Sequence, residues 1–192
     1  MAIMAVIQAI GTLGPLALEA YDRYASNKRN AGIDESDGLS RNEKEELIEI
    51  RLDFAKVLVS IWKYSAMADG VIQDEEDELI NEMIDGFWAD DSLFPWQLVN
   101  QKETQADLMN TFNRPLSLDT IKEYVGDDTE LALDLYDNAC CIIAQDEKLK
   151  KGEEEILIKL AKELNLNSFD REQIENVHLG KIKKSFLRKW FS

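Results

Sequence analysis

The chain of 192 residues contains only two cysteines, one histidine and three prolines. Cys140 and Cys141 are adjacent within the apolar stretch NACCIIA. They provide no disulfide framework of the kind that holds small secreted domains together, and both are predicted to be small buried side chains of a helix. Positive charge is also scarce, with 22 Lys and Arg against 38 Asp and Glu and a net charge of −16. This balance excludes general nucleic-acid binding, which needs a basic surface.

The scarcity of histidine bears on catalysis. His178 has no neighbouring cysteine or serine nucleophile pattern in the sequence and precedes Leu179 near Gly180, so it is predicted to be a surface or capping residue. Nucleophile-elbow, P-loop, dinucleotide-binding and His/Cys zinc spacings are absent from the sequence. The sequence therefore predicts a protein that is not an enzyme and takes no small-molecule substrate.

What the sequence has in quantity is helical periodicity. Apolar residues recur every three or four positions in several acidic segments, and no alternating strand pattern of useful length occurs. Residues 54–68 and 131–145 are predicted to be two central helices. Ile80 and Leu160, on the acidic helices that follow them, are predicted to be fully buried. The predicted fold class is an all-α helical bundle.

Composition divides the chain into four predicted regions. They are an apolar N-terminal helical segment (1–26), a polar linker (27–42), a helical domain (43–180) and a basic aromatic tail (181–192). The last helix of the domain is predicted to start at Ser168 or Asp170 and to run through Val177.

The N-terminal segment MAIMAVIQAIGTLGPLAL is apolar over roughly eighteen residues, near the lower limit for a membrane-spanning helix. Gly11, Gly14 and Pro15 interrupt it, and a secretory signal would need positive charge at its start. Three readings follow, in order of preference: a helix buried against protein, a segment lying on a membrane, and a true span.

Two stretches of the chain, residues 67–80 (MADGVIQDEEDELI) and 144–157 (AQDEKLKKGEEEIL), share one pattern. An aspartate follows an apolar helix, one apolar residue lies in the turn, and a glutamate comes seven positions after the aspartate: Asp69, Ile72 and Glu76 in the first stretch, Asp146, Leu149 and Glu153 in the second. The acids suit the positive end of a helix dipole, so helix capping is one interpretation. The other is a paired site for Ca²⁺ or Mg²⁺, which prefer oxygen ligands. An EF-hand is excluded because glycine directly follows the first aspartate.

The motifs MADGVIQDEEDELINEMI and IIAQDEKLKKGEEEILIKLAKELNL resemble the two halves of the TerB-like family, the tellurite-resistance helical domain also found at the front of a membrane-anchored DnaJ co-chaperone. The likeness covers residues 43–177. It implies an all-helical bundle with an internal duplication. It also implies that Asp69, Glu76, Asp146 and Glu153 bind a divalent cation. At the second turn the sequence departs from the family pattern, because Glu147 stands in place of the usual glycine.

The tail GKIKKSFLRKWFS reverses the charge of the rest of the chain. As a helix it would present an apolar edge flanked by cations, which suits an anionic membrane surface or an acidic partner protein. The residues predicted to form this interface are Lys181, Lys183, Lys184, Phe186, Arg188, Lys189, Trp190 and Phe191. Docking of the tail on the chain's own acidic body is the alternative.

Two functional hypotheses follow. The first is a non-catalytic stress-response adaptor of the TerB-like type that binds a divalent cation. The second is a structural or anchoring subunit that attaches to a membrane or a larger assembly through its two ends. Either role predicts a cytoplasmic protein, in the second case one held peripherally at the inner face of the membrane.

Overall fold

The computed structural model describes residues 41–70, 72, 74–88, 100–144 and 149–190, with the side chains of 41–44, 46, 47, 69, 74–79 and 181–190 left out. The predicted segment 1–26 and almost all of the predicted linker lie outside these residues. So do residues 89–99, around Pro95, and the second acidic turn at 145–148.

The described residues form seven α-helices and one short 3-10 turn, without a strand, which confirms the all-α prediction. The helices are α1 (Arg41–Ala66), α2 (Asp74–Gly86), α3 (Gln101–Asn113), α4 (Leu118–Val125), α5 (Thr129–Ile143), α6 (Lys151–Glu163) and α7 (Ser168–Trp190); the 3-10 turn Met67–Asp69 follows α1. Two of these helices directly follow a residue whose side chain caps them. Ser117 Oγ accepts the N–H of Thr120, and Asp128 Oδ1 accepts the N–H of Leu131.

Helices α1 and α5 pack on each other at the centre of the bundle. The side chains of Phe54, Leu58 and Leu135 on these helices are fully buried. Ile80 on α2 is 2% exposed and Leu160 on α6 is 0% exposed, as predicted. The apolar stripes of the outer helices therefore face the two central helices.

In the first half of the chain, α1 and α3 run parallel. Lys56 of α1 pairs with Asp107 of α3 at 2.9 Å, and further along both helices Lys63 Nζ lies 4.3 Å from the ring centre of Phe112. Contacts that advance together along two helices require a parallel arrangement.

The second half repeats this arrangement with α5 and α7. Tyr136 of α5 bonds Glu175 of α7, and further along both helices Cys141 lies against His178. Each half thus has a central helix, an acidic helix after a turn, and a third helix parallel to the first. This agreement supports the internal duplication, although Asp146, which was predicted to superpose on Asp69, lies outside the described residues.

One predicted boundary is wrong: α7 does not end at Val177 but continues to Trp190. A single glycine, Gly180, costs a helix only about 1 kcal/mol. The preceding residue, Leu179, is fully buried against the bundle and holds the helix there. The backbone of the basic stretch is consequently helical and continuous with α7 as far as Trp190.

Among the helices described here, none combines the length and apolar character needed to cross a membrane.

Candidate functional site

The first acidic turn is a tight corner between α1 and α2. The 3-10 turn Met67–Asp69 ends at Gly70, which has a φ of 95° and donates its N–H to the carbonyl of Met67. This left-handed conformation suits glycine because it lacks a Cβ. Ile72 is half-buried against the core in this corner, and Leu149 is half-buried before α6. Both apolar residues therefore fill the corners, as predicted.

The 3-10 turn packs against α6, the helix whose first turn carries Glu153. Glu153 is 5% exposed, and its Oε2 accepts the N–H of Lys150 at 2.6 Å. One of its oxygens is thus used to cap α6. The side chains of Asp69 and Glu76, and the whole of Asp146, lie outside the described residues. The structure accordingly places the first acidic turn against α6, the helix that follows the second acidic turn. It does not describe the four carboxylates together.

The tail residues predicted to form an interface lie at the end of α7, where the backbone is helical through Trp190. Their side chains, and all of Phe191, lie outside the described residues. The predicted interface stays a prediction.

A cluster that the sequence did not predict lies between α5 and α7. His178 Nε2 is 2.7 Å from Asp137 Oδ1, and Cys141 Sγ is 3.3 Å from Nδ1 and 3.7 Å from Nε2 of the same ring. Cys141 is buried, whereas the side chains of Asp137 and His178 are 20% and 18% exposed. The prediction of His178 as an isolated surface or capping residue is wrong, because the residue lies between a thiol and a carboxylate of the neighbouring helix.

The electrostatics of this cluster favour a charged imidazole. The hydrogen bond with Asp137 is the main cause that raises the pKa of His178 to about 10, and the contact with Cys141 adds to it, while burial acts in the opposite direction. At neutral pH His178 is therefore protonated, and the proton on its Nε2 forms a hydrogen bond with the carboxylate of Asp137.

A second polar network lies one turn earlier between the same helices. Tyr136 donates its hydroxyl to Glu175 Oε1 at 2.7 Å, and Arg171 donates Nε–H to the same oxygen at 2.6 Å. Tyr136 and Glu175 are buried. Burial, and then the bond to Glu175, raises the pKa of Tyr136, so its hydroxyl keeps its proton and acts as the donor. This network fixes how α7 lies on α5.

The first half has a counterpart of the Asp137 and Cys141 pair at positions 77 residues earlier, the same spacing that separates the two acidic turns. These positions hold Ser60 and Tyr64. Ser60 Oγ accepts the N–H of Leu116 at 3.0 Å, and the Tyr64 hydroxyl donates to the carbonyl of Leu116 at 2.9 Å. Both central helices thus use the same two positions for a polar contact with another part of their half: neutral hydroxyls hold the segment between α3 and α4 in the first half, and ionisable groups meet α7 in the second.

Sequence reasoning missed the cluster because 37 positions separate Cys141 from His178. The available signal was the pair of potential ligands Asp137 and Cys141, four positions apart in a segment predicted to be a central helix. Such a pair lies on one helical face. Only the neighbouring helix supplies the third residue.

Comparison with known proteins identifies one family. Residues 2–177 match the family DUF533, described as a protein of unknown function. Searches of curated proteins and of solved structures gave no match. The match covers most of the chain, and the chain belongs to the DUF533 family.

Proposed function

We propose that this member of the DUF533 family is a non-catalytic stress-response adaptor of the TerB-like type, which binds Ca²⁺ or Mg²⁺ through its acidic turns. The observation that supports it most directly is the packing of the 3-10 turn Met67–Asp69 against α6. Through this contact an acidic corner of the first half lies against the acidic helix of the second.

A divalent cation would be held by Asp69, Glu76, Asp146 and Glu153. Hard cations prefer carboxylate oxygens, and several acids close together otherwise repel one another. The cation would offset that repulsion and tie the end of the 3-10 turn to the start of α6. Because the turn and α6 belong to different halves, the ion would stabilise the surface that both halves present to a protein partner.

Saturating Ca²⁺ or Mg²⁺ is expected to raise the melting temperature of the full chain, measured by differential scanning fluorimetry. A ligand at 100 times its Kd stabilises the folded state by about 2.7 kcal/mol. The Asp69→Asn variant is expected to lose most of this shift because the first turn then lacks its carboxylate.

Glu82→Gln is the matched control, since Glu82 is an exposed acid on α2 outside the repeated pattern. It removes the same unit of charge and should keep the shift. All samples need equal ionic strength, because a chain of net charge −16 gains stability from any added salt. Equal shifts in the wild type, Asp69→Asn and Glu82→Gln would contradict the cation site.

A second function, that of an anchoring subunit, is favoured by the continuity of α7. The helix passes the buried residue Leu179 and carries the basic stretch to Trp190 without a break. After Leu179 the sequence places an apolar residue at every fourth position: Ile182, Phe186 and Trp190. A basic helical end with one apolar edge would attach an acidic body to an anionic membrane surface.

Binding of the full chain to anionic vesicles is expected to weaken steeply as salt rises. Each tail cation contributes up to about 1 kcal/mol near a charged bilayer, and salt screens this attraction. The double variant Lys183→Gln/Lys184→Gln should bind several-fold more weakly in a vesicle sedimentation assay. Trp190 emission, isolated by difference from Trp190→Phe, should shift to the blue on binding.

Lys159→Gln/Lys162→Gln is the control for charge alone, because both lysines are exposed on α6. Deleting residues 181–192 distinguishes a tail that binds the membrane from a tail that docks on its own protein. If the deletion lowers the melting temperature and wild-type vesicle binding is absent, the tail docks on its own protein and the anchoring function is wrong.

A further inference from the structure

The helix pair α5 and α7 brings three different metal-binding atoms to one place. A carboxylate oxygen of Asp137, the sulfur of Cys141 and a ring nitrogen of His178 all lie within 4.8 Å of one another. Oxygen, sulfur and nitrogen together are donors that zinc accepts in proteins, whereas Ca²⁺ and Mg²⁺ prefer oxygen alone. This chemistry differs from that of the acidic turns.

We propose that Asp137, Cys141 and His178 bind a zinc-class transition-metal ion through three protein ligands, with the fourth position open to water or to a ligand atom of a partner. The site is independent of the Ca²⁺ or Mg²⁺ site proposed above. Its residues lie on α5 and α7 and include none of the four acids of the two turns.

Two of the three separations between ligand atoms are close to those a metal would impose, and the third is at most 4.8 Å. With zinc bonds of about 2.0–2.3 Å, neighbouring ligand atoms of a tetrahedral site lie about 3.3–3.6 Å apart. His178 Nε2 lies 3.7 Å from Cys141 Sγ and 2.7 Å from Asp137 Oδ1. The first separation is already suitable, and the second has to open by less than about 1 Å. Rotation of the partly exposed side chains of Asp137 and His178 would supply this change.

Metal binding here is an exchange of protons for an ion. The proton between His178 and Asp137 and the thiol proton of Cys141 leave to solvent, and bonds form from the ion to nitrogen, oxygen and sulfur. No group is oxidised or reduced. The ion enters on the side of Asp137 and His178, since Cys141 lies inward of both.

A purely structural role does not require this set of residues. In the first half, Ser60 and Tyr64 hold Leu116 from the equivalent positions with two neutral hydroxyls. In the second half, the same positions carry a carboxylate and a thiol, and the group they meet is an imidazole. The network of Tyr136, Glu175 and Arg171 one turn away fixes α7 on α5, so the ligands are oriented before an ion arrives.

Titration of the reduced, chelator-treated full chain with Co²⁺ tests the proposal, because thiolate ligation of Co²⁺ gives a near-ultraviolet charge-transfer band and tetrahedral visible bands. One equivalent of Co²⁺ is expected to bind with both sets of bands, and Zn²⁺ is expected to remove them by displacement. Cys141→Ala should lose the charge-transfer band, and His178→Gln should lose the tetrahedral pattern of visible bands. Circular dichroism is expected to show that each variant keeps its helices.

Cys140→Ala is the matched control, because Cys140 is the adjacent buried thiol outside the cluster. It should keep the bands, and so should Asp69→Asn, which separates this site from the acidic turns. A folded wild-type chain that gives no charge-transfer band overturns the proposal whatever the variants do. A band that survives in folded Cys141→Ala, or disappears in folded Cys140→Ala, also overturns it.

Discussion

Replacing Leu160 by alanine is expected to lower the free energy of unfolding by about 2–5 kcal/mol. Leu160 is fully buried on α6, and this helix packs against α1, α4 and α5 as well as against the 3-10 turn. Truncation removes apolar contacts and leaves a cavity that surrounding helices fill only in part. Ile80→Ala on α2 is expected to cost a similar amount, since Ile80 is 2% exposed on the helix that follows the first turn. Urea denaturation monitored by circular dichroism measures both changes.

Ile158→Ala provides the comparison on the same helix. Ile158 is exposed, so its truncation should change the unfolding free energy by less than about 0.5 kcal/mol. A loss below about 0.5 kcal/mol for Leu160→Ala would show that α6 presents a different face to the bundle.

The second large effect is expected from Glu175→Ala, which removes the shared acceptor of the network between α5 and α7. The Tyr136 hydroxyl is then left buried without this partner, and Arg171 loses its ion pair. Breaking a buried pair costs about 3–5 kcal/mol, and the partial exposure of Arg171 reduces this to about 2–4 kcal/mol. Urea denaturation of the variant checks the figure.

Two further variants show whether the network causes the loss. Tyr136→Phe keeps the ion pair and removes only the hydroxyl, so it should cost about 1 kcal/mol. Glu172→Ala removes an exposed acid of the same helix and should change little. If Glu172→Ala were as damaging as Glu175→Ala, the loss of any acid from α7 rather than of the buried acceptor would explain the result.

The two halves of the bundle use one backbone plan with different polar chemistry. Ser60 and Tyr64 hold a backbone segment with neutral hydroxyls, whereas Asp137 and Cys141 hold an ionisable side chain. A duplicated fold can keep the structural contact in one half while the other half acquires groups that bind ions. The proposed transition-metal site is therefore expected in the second half alone among the described residues.

The sequence by itself determined the helical class and much of the core. Apolar spacing is a local property, set by the 3.6-residue turn, and it correctly predicted the central helices and the burial of Ile80 and Leu160. Capping is local as well: Ser117 and Asp128 each accept a backbone N–H of the helix that directly follows them. The positive φ of Gly70 follows from the same short-range rules.

The tertiary structure alone decided which distant residues meet. Cys141 and His178 lie 37 positions apart, and their contact depends on how α7 is rotated and shifted against α5. The end of α7 was decided in the same way. Gly180 suggested a boundary, but the burial of Leu179 against the bundle outweighs the small cost of one glycine. Local patterns fix which face of a helix is apolar, whereas packing between helices fixes which polar groups on neighbouring faces come within bonding distance.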